Sequence, residues 1–247
     1  MSYLIKRAVE ILREDGPVEL TKRSLRFVHK KLPESTVKYN NVLVKNGPLF
    51  DPVLPWRDAR RPNYESGILN SMEENLKEGD EVVVVGGGHG VTAVRAAEHI
   101  GEDGYVVVYE GSADKVDKTK QTAELNGVSD RIEVRHGIVG PSIWVWGEEG
   151  GATHYTPDEL PECDVLELDC EGAEIEILEN MEIRPRVIIV ETHGTFDAPT
   201  DEVRGILEDL SYNVVSEEIA DIDQKENCLE NDIRVLTGFL KETTTNK

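Results

Sequence analysis

The sequence predicts an α/β fold: a mostly parallel seven-stranded sheet with an antiparallel C-terminal edge pair, preceded by a helical N-terminal extension. Three observations predict it. From Glu81 onward, short β-branched runs alternate with stretches of helical apolar spacing, the pattern of strands joined by crossover helices. The first strand runs straight into Gly86-Gly87-Gly88-His89-Gly90 and then a helix, the order of a Rossmann-like unit. The last two apolar runs are joined by a polar segment with no helix-sized apolar pattern, which suits neighbouring antiparallel strands.

The elements follow in order. Leu4, Ile5, Ala8, Val9 and Leu12 fall at helical spacing, and Asp15-Gly16-Pro17 stops that helix. Pro17 opens a second helix carrying Leu20, Leu25, Val28 and Leu32, ended by Pro33. Residues 37–44 read as one short strand, and 47–62, with four prolines, as an irregular connection. Asn63 caps a helix through Ile68, Leu69, Met72 and Leu76. Strands are expected at 81–85, 105–109, 131–135, 164–168, 187–191, 213–219 and 233–239, with helices at 91–100, 113–125, 173–181 and 200–210. Residues 140–161, rich in Gly and Trp, read as irregular. The chain of 247 residues thus divides into an extension, 1–78, and an α/β domain, 79–247.

Composition narrows the function classes. Forty-nine acidic residues against 27 basic ones give a net charge of −22, which repels nucleic acid phosphates and suits either a halophilic protein or an ordinary acidic cytosolic one. Residues 1–45 run the other way, with ten Lys and Arg against five Asp and Glu. That basic arm either packs its apolar stripes on the main domain or rests on an anionic membrane surface. No run approaches 18 apolar residues and no signal-peptide pattern is present, so a membrane span is not expected. The three cysteines have no metal-ligand spacing, and their odd number argues against a disulfide framework. Cytoplasmic residence follows as the expectation, with peripheral contact at the inner membrane face if the arm docks there.

The glycine turn and its surroundings point to a nucleoside or nucleotide. Backbone that turns tightly and approaches a ligand closely needs glycine, so Gly86, Gly87, Gly88 and Gly90 are candidate binding residues. The next strand ends at Glu110, followed by Gly111. A carboxylate there can accept hydrogen bonds from both ribose hydroxyls. These residues alone leave two ligands open, since Gly88-x-Gly90-x-x-Ala93 with Glu110 also suits NAD and an oxidoreductase.

Later motifs separate the two. Residues 164–178 read DVLELDCEGAEIEIL and 187–194 read VIIVETHG. With the glycine turn and Glu110, these segments resemble the FkbM family of methyltransferases over residues 81–194. The family's Asp-x-Glu-Gly-x-Glu motif is matched by Asp169, Glu171, Gly172 and Glu174, and its Glu-x-His motif by Glu191 and His193. The resemblance implies a class I methyltransferase fold, S-adenosylmethionine as cofactor, and a hydroxyl acceptor, often on a sugar or natural product. In one departure, Val84 stands where the family usually carries an acidic residue just before the glycine turn. A non-catalytic cofactor- or glycan-binding relative is the corresponding alternative.

At the reaction end, His193 is the expected general base, because imidazole titrates near neutral pH. Glu171 or Glu191 would orient it or share the proton, and Asp169 would contact the methionine moiety. No metal is assigned, although Asp169, Glu171 and His193 also form a mixture that metals use. Glu174 reads as a helix first-turn carboxylate, and His89 as a surface-loop residue. Residues 142–155, with Trp144, Trp146, His154 and Tyr155, form the candidate substrate loop, since aromatic rings stack on sugar faces.

Overall fold

The computed structural model describes residues 13, 16, 34–48, 60–140 and 150–241. Lys38–Val44 and Arg60–Lys247 form one compact unit. The expected N-terminal helices, Trp144 and Trp146 lie outside the described residues.

The main sheet contains β3 (Glu81–Val85), β4 (Tyr105–Glu110), β5 (Ile132–Val139), β6 (Thr153–Tyr155), β7 (Val165–Leu168), β8 (Val187–Glu191), β9 (Tyr212–Ile219) and β10 (Arg234–Leu240). Its spatial order is β6-β5-β4-β3-β7-β8-β10-β9. From β6 to β8 every pairing is parallel, while β10 runs antiparallel to both β8 and β9. The strand order reverses at β3, which has β4 on one side and β7 on the other. A crevice opens beyond the carboxyl ends of the strands at such a reversal.

The helices are α1 (Ser66–Asn75), α2 (Val91–Ile100), α3 (Ala113–Asn126), α4 (Glu174–Asn180), α5 (Thr200–Asp209) and α6 (Lys225–Glu230). The central strands are valine- and isoleucine-rich because both their faces are covered. Val83, Val85, Leu166, Leu168, Ile188 and Val190 share one core with Ile177 and Leu178 of α4 and Val203 and Leu207 of α5. Burying one such side chain contributes about 2 kcal/mol, so this layer fixes the positions of the strand ends.

Three expectations are corrected. Residues 34–48 form a hairpin, β1 (Glu34–Tyr39) and β2 (Val42–Pro48), rather than one strand. Asn40 and Asn41 adopt φ of 43° and 68°, the left-handed pair that a two-residue hairpin turn requires. The Asn126 side chain accepts from the Leu43 N–H at 3.0 Å and donates to its carbonyl at 2.9 Å, tying the hairpin tip to the end of α3. Secondly, 140–161 is not wholly irregular, because β6 adds an eighth strand beside β5. The Tyr155 ring lies over Gly137, where a Cβ would come within 2.5 Å of it. Thirdly, the β9–β10 connection contains α6, whose six residues bury only Cys228 and so leave no apolar period to read.

Candidate active site

Gly86 links the ends of three strands. Its N–H donates to the Tyr109 carbonyl at 2.9 Å, and the Asp169 N–H donates to the Val85 carbonyl at 2.9 Å. At φ 109° a Cβ on Gly86 would stand 1.8 Å from the Asp169 carbonyl oxygen, so only glycine fits. Gly90 lets α2 begin against α3, with a Cβ position 2.9 Å from Thr119 Cα.

Glu110 shapes this turn as well as facing the ligand. Its Oε2 accepts from the Gly88 N–H at 2.8 Å and its Oε1 from the Ser112 N–H at 2.7 Å. Burial pushes its pKa up, and those two amides pull against the rise. Each oxygen retains a lone pair for a ribose hydroxyl.

The second half of the site is built on Glu174, a wholly buried carboxylate. It accepts the N–H groups of Cys170 at 3.1 Å and Gly172 at 2.8 Å, fixing the loop after β7. The same Oε1 meets His193 Nδ1 at 2.9 Å. A carboxylate only accepts, so Nδ1 carries the hydrogen and Nε2 faces the other way. There it stands 3.5 Å from Asp169 Oδ1, 3.6 Å from Glu191 Oε1 and 3.8 Å from Glu171 Oε2. Glu174 therefore does more than stabilise a first helical turn, because it orients the imidazole.

These neighbours change the expected role of His193. Burial lowers its proton affinity, but the Glu174 bond and the charges of Asp169, Glu174 and Glu171 overcome this and raise its pKa to about 9. Near neutral pH the ring already holds its proton, so the expected general base is revised to an imidazolium in the cofactor-free protein. Burial pushes Asp169 up to about 7 and Glu191 well above the usual carboxylate range.

One pocket of about 530 Å³ joins both halves, and Gly86, Gly88, Glu110, Gly111, Asp169 and Glu171 all line it. Gly87, Gly90 and His193 do not. Gly87 and Gly90 pack against Thr119 behind the turn, and His193, 3% exposed, stands behind its carboxylate neighbours. Glu171 lines the pocket where His193 does not.

Sequence reasoning missed one wall. Arg61, Tyr64 and Glu65 come from the connection before α1, and Lys115 from α3. The Arg61 guanidinium stacks over Tyr64 at 4.4 Å and pairs with Asp221 at 2.9 Å. Glu65 lies opposite Gly88 with φ 49°, a left-handed conformation unusual for glutamate. Burial and nearby Asp169 push its carboxyl up to about 8. Nothing in the spacing of an Arg- and Pro-containing connection ties it to the strand ends; a charged cluster just before a helix is the only signal. His89, read as a surface-loop residue, instead packs edge-on against Tyr39 and Tyr64 and meets Lys115 Nζ at 3.4 Å. Burial and the Lys115 charge lower its pKa to about 4.

Val84 is fully buried. Its cross-strand partner Glu167 is also fully buried, with neither carboxyl oxygen hydrogen-bonded, and burial raises its pKa far above normal. No helix of the described residues is long and apolar enough to cross a membrane.

Residues 153–214 match the methyltransferase FkbM domain. Similar solved structures include YjhP from E. coli, at 14% identity over 72% of this chain and 93% of that one (TM-score 0.47). A SAM-dependent methyltransferase from Aquifex aeolicus is similar at 16% identity over 72% and 89% (TM-score 0.45). Aeropyrum pernix fibrillarin with natively bound S-adenosyl-L-methionine is similar at 15% over 70% and 73% (TM-score 0.47). No curated protein matches the chain. The matched stretch, a quarter of the chain, contains the strand-end motifs at Asp169–Glu174 and Glu191–His193 that resemble the same family, and it favours a methyltransferase over an oxidoreductase.

Proposed function

We propose that this protein transfers the methyl group of S-adenosylmethionine to a hydroxyl or carboxyl oxygen, with a sugar or glycan as acceptor. The observation that carries this reading is the convergence of the glycine turn, Glu110, Asp169 and Glu171 on one pocket at the sheet's reversal point.

The chemistry follows from that placement. Glu110 receives the ribose, and the glycine turn admits the chain beside it. Burial holds the Glu65 carboxyl, and part of the Asp169 population, protonated in the empty pocket; the arriving methionine ammonium and sulfonium favour their ionised forms, and the low polarity of the surroundings makes that attraction strong. Glu65 thereby stands in for the acidic residue that Val84 replaces. Methyl transfer is an in-line displacement that depends mostly on alignment. The acceptor oxygen forms its bond to carbon as the carbon–sulfur bond breaks, and that electron pair stays on sulfur, leaving S-adenosylhomocysteine. The acceptor's proton passes to Glu171, while His193, fixed by Glu174, balances the negative charge behind it.

Calorimetric titration of dialysed protein tests the reading. S-adenosylmethionine is expected to bind with micromolar affinity and NAD not at all, and labelled methyl is expected to appear on an oxygen of a sugar acceptor. Absence of S-adenosylmethionine binding would remove the assignment, and label found on nitrogen would confine it to methyl transfer alone.

A further inference from the structure

Asp169, Glu191 and His193 each turn one ligand-type atom toward the others, all within 4.8 Å of one another. Two atoms sharing a cation at about 2.1 Å lie about 3.0 Å apart at a right angle and about 3.4 Å apart in a tetrahedron. The observed separations from Nε2, 3.5 Å to Asp169 and 3.6 Å to Glu191, exceed the tetrahedral spacing by about 0.1–0.2 Å and the right-angle spacing by about 0.5–0.6 Å, so a bound cation would draw the ligands slightly together. They are too long for good charge-assisted hydrogen bonds, which close to about 2.8 Å.

A second observation points the same way. His193 is more than nine-tenths buried, its Nδ1 is committed to Glu174, and its Nε2 makes no hydrogen bond among the described residues. Buried ring nitrogens normally find a partner. This one is aimed into a gap between carboxylates. An imidazole held by a carboxylate through one nitrogen, with the other free to exchange its proton for a cation, is the arrangement in which histidine ligates metals.

We infer that Asp169, Glu191 and His193 hold a divalent cation at the wall of the pocket. Two carboxylates and one imidazole, with no thiolate among them, suit Mn²⁺ or Mg²⁺, and the imidazole favours Mn²⁺. Three protein ligands leave coordination positions open on the pocket side, where Asp169 and Glu191 are accessible. Glu171 stays outside the ligand set as proton acceptor. The site stands independently of the reaction, while its use rests on the methyl-transfer reading. The cation would polarise the acceptor oxygen and select acceptors with a second oxygen beside the reacting one, such as a vicinal diol, so that both oxygens bind it.

Chelator-treated, dialysed full-length protein titrated with Mn²⁺, followed by loss of the free-ion electron paramagnetic resonance signal, tests this. One Mn²⁺ per chain is expected, with affinity weakened at least about tenfold by Asp169→Asn and by Glu191→Gln. Glu182→Gln, an exposed acid away from the pocket, is expected to leave it unchanged. No binding at millimolar Mn²⁺, or equal binding by all three variants, would overturn the site. Should Asp169→Asn fail to fold, Glu191→Gln and the wild type decide the matter. Methyl transfer that persists in chelator, with no Mn²⁺ bound, removes the cation and keeps the methyltransferase; Mn²⁺ bound by a protein that ignores S-adenosylmethionine does the reverse.

Discussion

Glu174 and His193 meet at 2.9 Å in the interior, the first fully buried and the second nearly so. The same carboxylate also satisfies two backbone N–H groups of the loop after β7. Removing it leaves two amides and an imidazole without their acceptor. Glu174→Ala is therefore expected to cost about 4 kcal/mol. Glu174→Gln, which keeps one acceptor oxygen, should cost about 2 kcal/mol. Urea unfolding monitored by circular dichroism reads both, and an alanine variant as stable as the wild type would show that the loop holds itself.

Glu65 faces the glycine turn from outside the α/β core. If it receives the cofactor's ammonium, Glu65→Gln should weaken S-adenosylmethionine and S-adenosylhomocysteine binding about 10- to 100-fold, the worth of one charge-assisted bond. Methylthioadenosine, which has no amino-acid tail, should bind the variant as it binds the wild type. Calorimetry distinguishes this pattern from a general collapse of the pocket, in which all three ligands would suffer equally.

His89 gives a pH signature. Its folded pKa is about 4, against an ordinary 6.5, so the unfolded chain takes up its proton first as pH falls. The stability held by the neutral ring is complete above pH 6.5 and is lost between 6.5 and about 4. Partial exposure discounts the loss to about 2 kcal/mol. His89→Gln should flatten that part of the stability–pH curve relative to the wild type, and superimposable slopes for the two proteins would refute it.

Two glycines should respond in opposite directions. Gly137→Ala drives a methyl into the Tyr155 ring, itself stacked edge-on to Tyr109 at 5.1 Å, and should cost about 1–3 kcal/mol. Gly205 lies within α5 with open space around it, so Gly205→Ala should add about 0.5–1 kcal/mol. Thermal unfolding measures both shifts.

The parts of this architecture visible from residues alone were those dictated by local periodicity. Val82–Val85 and Val187–Val190 declare buried strands because both neighbours and both faces are apolar. The turn at Gly86 and the acids at Glu110 and Asp169 follow, since strand ends in a parallel sheet share one rim. What local pattern could not carry was contact between distant segments. Glu65 and Arg61 reach the pocket through tertiary packing, with Arg61 anchored to Asp221, 160 residues away. The depth of His193 was hidden for the same reason: a Glu-x-His spacing places the ring at a strand end but says nothing of the carboxylate behind it. β6 escaped notice because three residues are too few to show alternation.

The Gly86 backbone sits so tightly on the Asp169 carbonyl that neither loop can shift without the other. Donor and acceptor compartments are then two faces of a single jaw with no slack in its hinge. On the proposed reading, seating the nucleoside on the glycine turn would set the loop that carries Asp169 before any acceptor arrives, so initial-rate and product-inhibition kinetics are expected to show an ordered sequence with the donor first.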